Sequence, residues 1–302
     1  MLKTHRDNHT WLVSQPDHGG VAGYLAAHWG NDQFAAPGHF ADAHDPEQLC
    51  AETVLAIAEH DNGWWEWEAI PELGDLDDLP LDLAEVLKNQ QEGMDRWQRG
   101  IPRFSEEHPY VSLLISFHAY WLYAARSKPD PDPAFLHPLF WKRAPEKLVG
   151  GSIDEARKFV ADLEAQQADF SARLRGNPVT ASWVDPENLK PNVRLLQLLD
   201  GLSLSLCSPH IPPLSGEAKG LGEHPFDLLE VPRGSWLDRV TIEVRPAGAR
   251  RIALKPYPFD VDPLRVVVPV RIIDSATRRS GAFHRWWHSQ QAQWIQFELC
   301  AV

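Results

Sequence analysis

The sequence predicts a mainly α-helical protein that carries a small C-terminal antiparallel β unit. Two observations predict this fold class. Up to about residue 210, apolar residues recur at helical spacing between patterns that start and stop helices. After a connector rich in Pro and Gly, roughly residues 208–235, apolar residues alternate with a period of two, which is typical of strands with one buried face. We therefore expect a helical domain over residues 1–210 and a β unit over residues 211–302 packed on it.

The first two helices are indicated by the residues at their ends. In "DHGGVAGYLAAHWG" the apolar residues keep helical spacing up to Gly30, which ends the helix. In "HDPEQLCAETVLAIAEHD" Asp45 is a typical N-cap, Pro46 takes the first helical position, and Gln48 stands three residues after the cap. These preferences predict a helix that runs to about Asp61.

Three later helices follow from similar patterns. "HPYVSLLISFHAYWLYAARS" starts its helix at Pro109 and is apolar nearly all round, so we expect a central helix enclosed by others. Ser152 and Glu155 form a capping box before a strongly amphipathic run that ends at Gly176. "PNVRLLQLLDGLSLSLC" predicts the last helix, over about residues 191–207.

Three C-terminal stretches read as strands. "DRVTIEVR", "LRVVVPVRII" and "QWIQFEL" each alternate apolar and more polar residues, and in the first of them Val240, Ile242 and Val244 share one face. Because these runs lie close together along the chain, a small antiparallel unit is expected.

Composition excludes several classes of protein. The chain has 302 residues, of which 43% are apolar, and this is enough for a sizeable core. No stretch has the length of a membrane span or the pattern of a signal peptide, so we expect a cytoplasmic protein without membrane partners. Cys50, Cys207 and Cys300 are far apart and odd in number, which indicates neither a disulfide framework nor a thiolate zinc site.

The net charge of −13 is unevenly distributed. Residues 231–302 hold 11 Lys and Arg against 6 Asp and Glu, so this tail is near +5 and the rest of the chain near −18. An acidic body argues against nucleic acid as a partner, because such binding depends on neutralising phosphates. We expect a small-molecule substrate instead, and a homo-oligomer is left open.

Four side chains are candidate metal ligands: His18 at the start of the first helix, His60 and Asp61 at the end of the next, and Asp200 in the last. Neighbours on a helix point about 100° apart, so the His-Asp pair can reach one ion only where a helix ends. The Asn-Gly that follows the pair provides such an end.

Asp200 has the strongest physical argument of the four. Leu196 and Leu204 lie one turn before and after it, so Asp200 should face the core, where an unpaired carboxylate costs on the order of several kcal/mol. A divalent cation would neutralise it. An arginine such as Arg194, or a set of backbone N–H donors, would do so as well.

The order His, then His-Asp, then Asp on successive helices resembles the HD-domain superfamily of metal-dependent phosphohydrolases. "DHGGVAGYLAAHWG", "LCAETVLAIAEHDNG" and "VRLLQLLDGLSLSL" look like the ligand-bearing helices of that superfamily. With "EHDNGWWEWE", "LLISFHAYWLY" and "PYPF", they also resemble an uncharacterised bacterial family of unknown function. The resemblance implies an HD-domain-like helical bundle. About 139 residues separate Asp61 from Asp200, more than a compact HD core requires, so insertions there could cover or block the pocket.

Other candidates depend more on the resemblance. His118 lies mid-helix among aromatic residues, where a lone histidine is more often a buried core residue than a ligand. HD proteins with two metals carry extra histidines in this region, which makes His118 a candidate catalytic base or second-metal ligand and His137 a further candidate. Glu66 is a candidate general acid or base, against the alternative of a solvated carboxylate. Of Trp64, Trp65 and Trp67, which surround Glu66, we expect two to pack in the core and one to line the pocket wall.

The leading hypothesis is a metal-dependent hydrolase that acts on a phosphoester of a small molecule or nucleotide. Imidazole and carboxylate ligands without sulfur suit one or two ions of Mn, Fe, Co, Ni or Zn. Two alternatives stay open. One is a di-iron oxygenase of the HD type, in which His118 and a further histidine such as His137 bind iron. The other is a non-catalytic metal-binding or ligand-binding module.

Overall fold

The structure is a computed structural model. It describes residues 1–6, 8–75, 77–86, 89–138, 152–209, 221–274 and 283–302. The predicted boundary between residues 210 and 211 lies outside the described residues.

The helices cluster in the first two thirds of the chain, and their N-terminal caps follow the predicted pattern. Asp45, for example, accepts a hydrogen bond from the backbone N–H of Gln48 at 3.2 Å. The helices are α1 Gln15–Ala27, α2 Pro46–Ala58, α3 Trp65–Ala69, α4 Leu83–Val86, α5 Gln90–Gly100, α6 Pro109–Ser127, α7 Ile153–Arg175, α8 Pro186–Cys207 and α9 Phe283–Ser289. The five predicted helices are therefore confirmed as α1, α2, α6, α7 and α8.

The strands come from both ends of the chain and form one mixed sheet among the described residues. Its order is β1-β2-β6-β7-β5-β4-β3, and only the pairing of β5 with β7 is parallel. The strands are β1 Leu2–Arg6, β2 His9–Val13, β3 Phe226–Ser235, β4 Asp238–Gly248, β5 Arg251–Lys255, β6 Leu264–Asp274 and β7 Gln293–Ala301.

The predicted fold class, a mainly α HD-domain-like bundle with a small β unit, is wrong. About 49% of the residues are helical, and they pack with a large, curled, seven-stranded mixed sheet. The helical interpretation of residues up to 210 misses β1 and β2, which are five residues each. β1 pairs with β2, and β2 pairs with β6, which lies about 260 residues further along the chain, so no local pattern indicates that second pairing. In β3 the alternation is broken by two register shifts.

The helix that carries Asp200 lies at the centre of the molecule. Every residue of α8 from 191 to 207 is buried. Helix α1 packs against α2, α8 and β6, while α6 packs against α2, α7 and α8. The sheet thus meets the helical layer through α1, on β6, and through α8, on β3. The segments that carry the candidate ligands are fixed by packing on several sides.

Searching the described residues for helices that are long and apolar enough to cross a membrane finds none.

Candidate metal centre

Three segments bring the four predicted ligands together. His18 lies in the first turn of α1, His60 and Asp61 lie in the turn that follows α2, and Asp200 lies in α8. The exposed fraction of these residues is 1% for His18, 1% for His60, 8% for Asp61 and 5% for Asp200. The sequence analysis proposed these four residues as ligands of one ion, and the structure places them side by side.

The spacing of His18, His60 and Asp200 fits a shared cation, and Asp61 contacts both of these histidines. Nε2 of His18 lies 3.0 Å from Oδ2 of Asp61 and 3.8 Å from Oδ1 of Asp200. Nε2 of His60 lies 3.8 Å and 3.4 Å from the same two oxygens. Two ligand atoms that are each about 2.1 Å from one ion stand roughly 3.0–3.4 Å apart at ordinary coordination angles. We call His18, His60, Asp61 and Asp200 the first group.

A second group forms on the other oxygen of Asp200. His118 in α6 and His137, just after the 3-10 turn Pro133–Phe135, point Nε2 at Oδ2 of Asp200 from 3.5 Å and 2.9 Å. Both histidines are buried. In each trio, His18–His60–Asp200 and His118–His137–Asp200, the ligand atoms lie within 4.8 Å of one another. Asp200 therefore presents Oδ1 to the first group and Oδ2 to the second.

The turn after α2 explains how two adjacent residues point at one place. Helix α2 ends at Ala58, and residues 62–64 form a single 3-10 turn, so the backbone at His60 and Asp61 is no longer α-helical. A Cβ at Gly63 would overlap the backbone carbonyl of Arg96 on α5. The predicted helix end at the Asn-Gly is confirmed, and the glycine is required by the close approach of α5.

Hydrogen bonds to the outer nitrogens orient the imidazoles of the first group. Nδ1 of His60 lies 2.8 Å from the carbonyl oxygen of Ile57, which can only accept. Nδ1 of His18 lies 2.9 Å from Oγ of Ser203, and that hydroxyl itself donates to the carbonyl oxygen of Asp200 at 2.8 Å. Nδ1 therefore carries the hydrogen in both rings. Each Nε2 presents a lone pair to the carboxylates unless it binds a proton or a metal ion.

The pKa values of the clustered side chains are shifted by burial and by their neighbours' charges. Burial alone lowers the pKa of His60, but the charges of Asp61 and Asp200 raise it to about 9. Burial alone raises the pKa of Asp200, yet the charge of His60 and the hydrogen bond from His137 hold that pKa well below its usual value. Burial lowers the pKa of His118 to about 3, so this ring is neutral. In the absence of metal, a proton on His60 balances part of the charge of the two carboxylates.

Arg194 does not neutralise Asp200. Arg194 donates from NH1 to the carbonyl of Leu136 and to Oε1 of Gln197, and from NH2 to the carbonyl of Leu229. The alternative in which Arg194 pairs with Asp200 is therefore wrong. Within the described part of the chain, the ion-pair partners of Asp200 are the four histidines of the two groups.

Glu66 does not join the cluster. Its side chain is half exposed and pairs with Arg103 at 2.7 Å and with Arg99 at 3.8 Å. The hydrogen bond from Arg103 lowers the pKa of Glu66, which suits a surface ion pair and not a proton donor. The structure thus separates this predicted general acid or base from the candidate ligands.

A cavity of about 80 Å³ adjoins the cluster, and ligand residues of both groups form part of its wall. Trp64 lines the cavity, whereas Trp65 is 39% exposed and stacks against Arg103 at 4.6 Å. One tryptophan therefore stands at the cavity wall beside the His-Asp pair.

Sequence reasoning missed two supporting residues. Ser203 stands one helical turn after Asp200, so its position on the same face of α8 was a usable signal. Arg96 lines the cavity from α5, where no local pattern distinguishes it from its neighbour Arg99. His137 was only a further candidate, because the short turn that positions it has no sequence signature.

Comparison with known proteins gives a family but no activity. In these comparisons neither a curated protein nor a solved structure matches the chain. A family model described as "Protein of unknown function (DUF3891)" matches residues 1–275. Because this match covers most of the 302 residues, the chain belongs to the DUF3891 family.

Proposed function

We propose that this protein is a metal-dependent hydrolase that holds two divalent transition-metal ions and acts on a small phosphoester. The observation that carries the proposal is the convergence of four buried imidazoles on two buried carboxylates. Taking two carboxylates out of water is costly unless positive charge meets them. A proton on His60 supplies only part of that charge.

The unsatisfied atoms of the cluster fit metal ions. Oδ1 of Asp200 and Nε2 of His60 are buried without a hydrogen-bond partner, although they stand 3.4 Å apart. Buried polar atoms are rarely left unpaired in proteins, so a ligand between them is the simplest account. The first group would hold one ion through two imidazoles and two carboxylates, and Asp200, His118 and His137 would hold the second.

The donor set limits the metal. Imidazole nitrogen and carboxylate oxygen without sulfur suit Mn, Fe, Co, Ni or Zn. Such ions lower the pKa of bound water toward neutrality and polarise a phosphoryl oxygen. In hydrolysis the water oxygen bonds to phosphorus, the ester P–O bond breaks, and the water proton leaves with the alcohol. His60 donates from Nδ1 to the carbonyl oxygen of Ile57, and His18 donates from Nδ1 to Oγ of Ser203, which keeps both rings in the ligand orientation.

One observation also favours a second candidate. A di-iron oxygenase needs histidines for a second iron, and both His118 and His137 contact Asp200. The two enzymes differ in metal preference and co-substrate. Iron content with oxygen consumption favours the oxygenase, whereas phosphoester turnover with Mn, Co or Ni favours the hydrolase.

The experiment is elemental analysis of protein purified without a His-tag, followed by a panel of phosphoesters with added Mn, Co or Ni. We expect two ions per chain and turnover of at least one ester. His60→Ala should remove metal and turnover together. His44→Ala is the matched control, because His44 also precedes an aspartate but lies on the surface, where that Asp45 caps α2.

Two outcomes would defeat the proposal. One is wild-type protein without stoichiometric metal that hydrolyses no ester in the panel. The other is a His60→Ala variant that keeps full metal content and turnover. A third outcome would indicate the non-catalytic metal-binding module instead. In that case the wild type binds metal but shows no turnover, and His60→Ala loses the metal but keeps its fold.

A further inference from the structure

Arg96 is a buried cation at the wall of the cavity beside the metal centre. Only 5% of the residue is exposed. Its guanidinium stacks on the ring of Trp64 at 4.1 Å and lies 5.4 Å from the ring of Trp67. NH2 pairs with Glu92 one turn earlier on α5 at 2.9 Å. NH1 is buried and has no hydrogen-bond partner. An arginine fixed in this way presents an unused N–H donor.

The position of Arg96 is rigidly tied to the His-Asp turn. The backbone carbonyl of Arg96 lies against Gly63, and Gly100 at the end of α5 packs against Asn62 and Gly63. Helix α5 therefore cannot shift without moving the turn that carries His60 and Asp61. This coupling holds the guanidinium at a constant position relative to the candidate ligands.

The cavity is small, and both Arg96 and the candidate metal ligands line it. A volume of about 80 Å³ has room for roughly five to eight water molecules, at about 10–15 Å³ for each. Arg96, Asp61, His118 and Asp200 all line it. A phosphoryl group bound in this cavity therefore has both Arg96 and candidate metal ligands in its walls.

The remaining wall is mainly apolar. Leu83, Val86, Leu122 and Leu204 line it, together with the rings of Trp64 and Trp97. The amide groups of Asn89 and Gln90 donate to Glu92 and to the carbonyl of Ser152, respectively.

From this arrangement we infer that Arg96 binds a phosphoryl oxygen of the substrate, and that the substrate is a phosphomonoester of a small apolar alcohol. The inference rests on the proposed function, because it places the phosphoryl group between Arg96 and the metal ligands. The amide oxygen of Gln15 is a second buried, unpartnered atom on the same wall. It can accept a hydrogen bond from a protonated phosphoryl oxygen or from water.

The test is calorimetric titration of Mn-loaded protein with inorganic phosphate and with phenyl phosphate. Arg96→Met removes the charge and keeps an unbranched side chain. Arg96→Lys keeps the charge but loses the paired N–H donors of the guanidinium. Arg99→Met is the matched control, since Arg99 lies on the same helix with 47% of its side chain exposed. Arg96→Met should weaken phosphate binding about 10- to 100-fold, as expected for a lost hydrogen bond to a charged group.

Arg96→Lys should show an intermediate loss, and Arg99→Met none. Phenyl phosphate should bind the wild type more tightly than phosphate does, because the apolar wall contacts the ring. Metal content is measured for every variant. Wild-type metal content with phosphate affinity that does not depend on residue 96 would overturn this inference and leave the metal proposal standing. A wild type without metal would defeat the proposed function itself. If Arg96→Met does not fold, the phosphate affinity of Arg96→Lys tests the inference, and wild-type affinity in that variant would overturn it.

Discussion

Gly201→Ala should remove the second ion and spare the first. Gly201 follows Asp200 on α8, where a Cβ would stand 2.7 Å from Cβ and 2.9 Å from Cγ of Pro138. Carbon atoms in contact stay about 3.5–4.0 Å apart, so Pro138 must move by roughly 1 Å. Metal sites tolerate errors of only about 0.2 Å in ligand distance. Because His137 directly precedes Pro138, it would leave Oδ2 of Asp200.

The turn that carries His137 gives way more easily than α8. Helix α8 is buried from residue 191 to residue 207, whereas the turn is held to it by two hydrogen bonds. NH1 of Arg194 donates to the carbonyl of Leu136 at 2.9 Å, and Nε2 of Gln197 donates to the carbonyl of Phe135 at 2.8 Å. Overpacking of this kind costs about 1–3 kcal/mol. The variant should therefore fold, with a Tm several degrees lower than the wild type.

The assay is equilibrium dialysis against Mn²⁺ or Zn²⁺ followed by elemental analysis. We expect two ions per chain in the wild type and one in Gly201→Ala. Gly20→Ala is the matched control, because Gly20 is exposed on α1 and nothing lies within 4 Å of its added Cβ. A Gly201→Ala protein that binds two ions with wild-type affinity would refute the idea that His137 belongs to the centre.

Three further predictions test the rest of the centre. Asp200→Asn should empty both sites, because both groups depend on its carboxylate, and elemental analysis measures this. Ser203→Ala should weaken metal affinity about 10- to 100-fold by freeing His18, while Ser205→Ala, whose hydroxyl donates to a carbonyl of the same helix, should not. In EDTA-treated protein the raised pKa of His60, about 9 against 6.5 unfolded, contributes stability that is complete below pH 6.5. The Tm should therefore fall as pH rises through 9, and bound metal should abolish that fall.

The helical part of the fold was predictable because its signals are local. Asp45 and Ser152 mark helix starts by hydrogen bonds to residues three positions on, and Gly176 follows the end of α7. Such patterns depend on chemistry within one or two turns. They do not depend on what the helix later packs against.

The sheet was only partly predictable because its pairing is not local. Strands β4, β6 and β7 alternate clearly, but β1, β2 and β5 are five residues each, too short for a period to be recognised. In β2, Trp11 pairs with Ile272 of β6. Nothing within residues 1–14 indicates that partner, and so a sheet built from both ends of the chain appeared as a small terminal unit.

The residues of the candidate site were also only partly predictable. His18, His60, Asp61 and Asp200 were nominated from their order and from the burial expected of Asp200, and the structure places them together. Glu66 was nominated only because it follows the pair, and it faces solvent beside Arg103. Proximity along the chain is a weak guide where a turn reverses its direction within a few residues.

The described part of the long segment between Asp61 and Asp200 carries further residues of the site. It contributes α5, whose Arg96 lines the cavity, and α6, whose His118 contacts Asp200 at 3.5 Å. It also contributes the turn that brings His137 to the same carboxylate at 2.9 Å. A segment that merely shielded the first group would have no reason to direct two buried imidazoles at the free oxygen of Asp200. The residues that separate the ligands in sequence therefore lie beside them in space, and for this reason the proposed function includes a second ion.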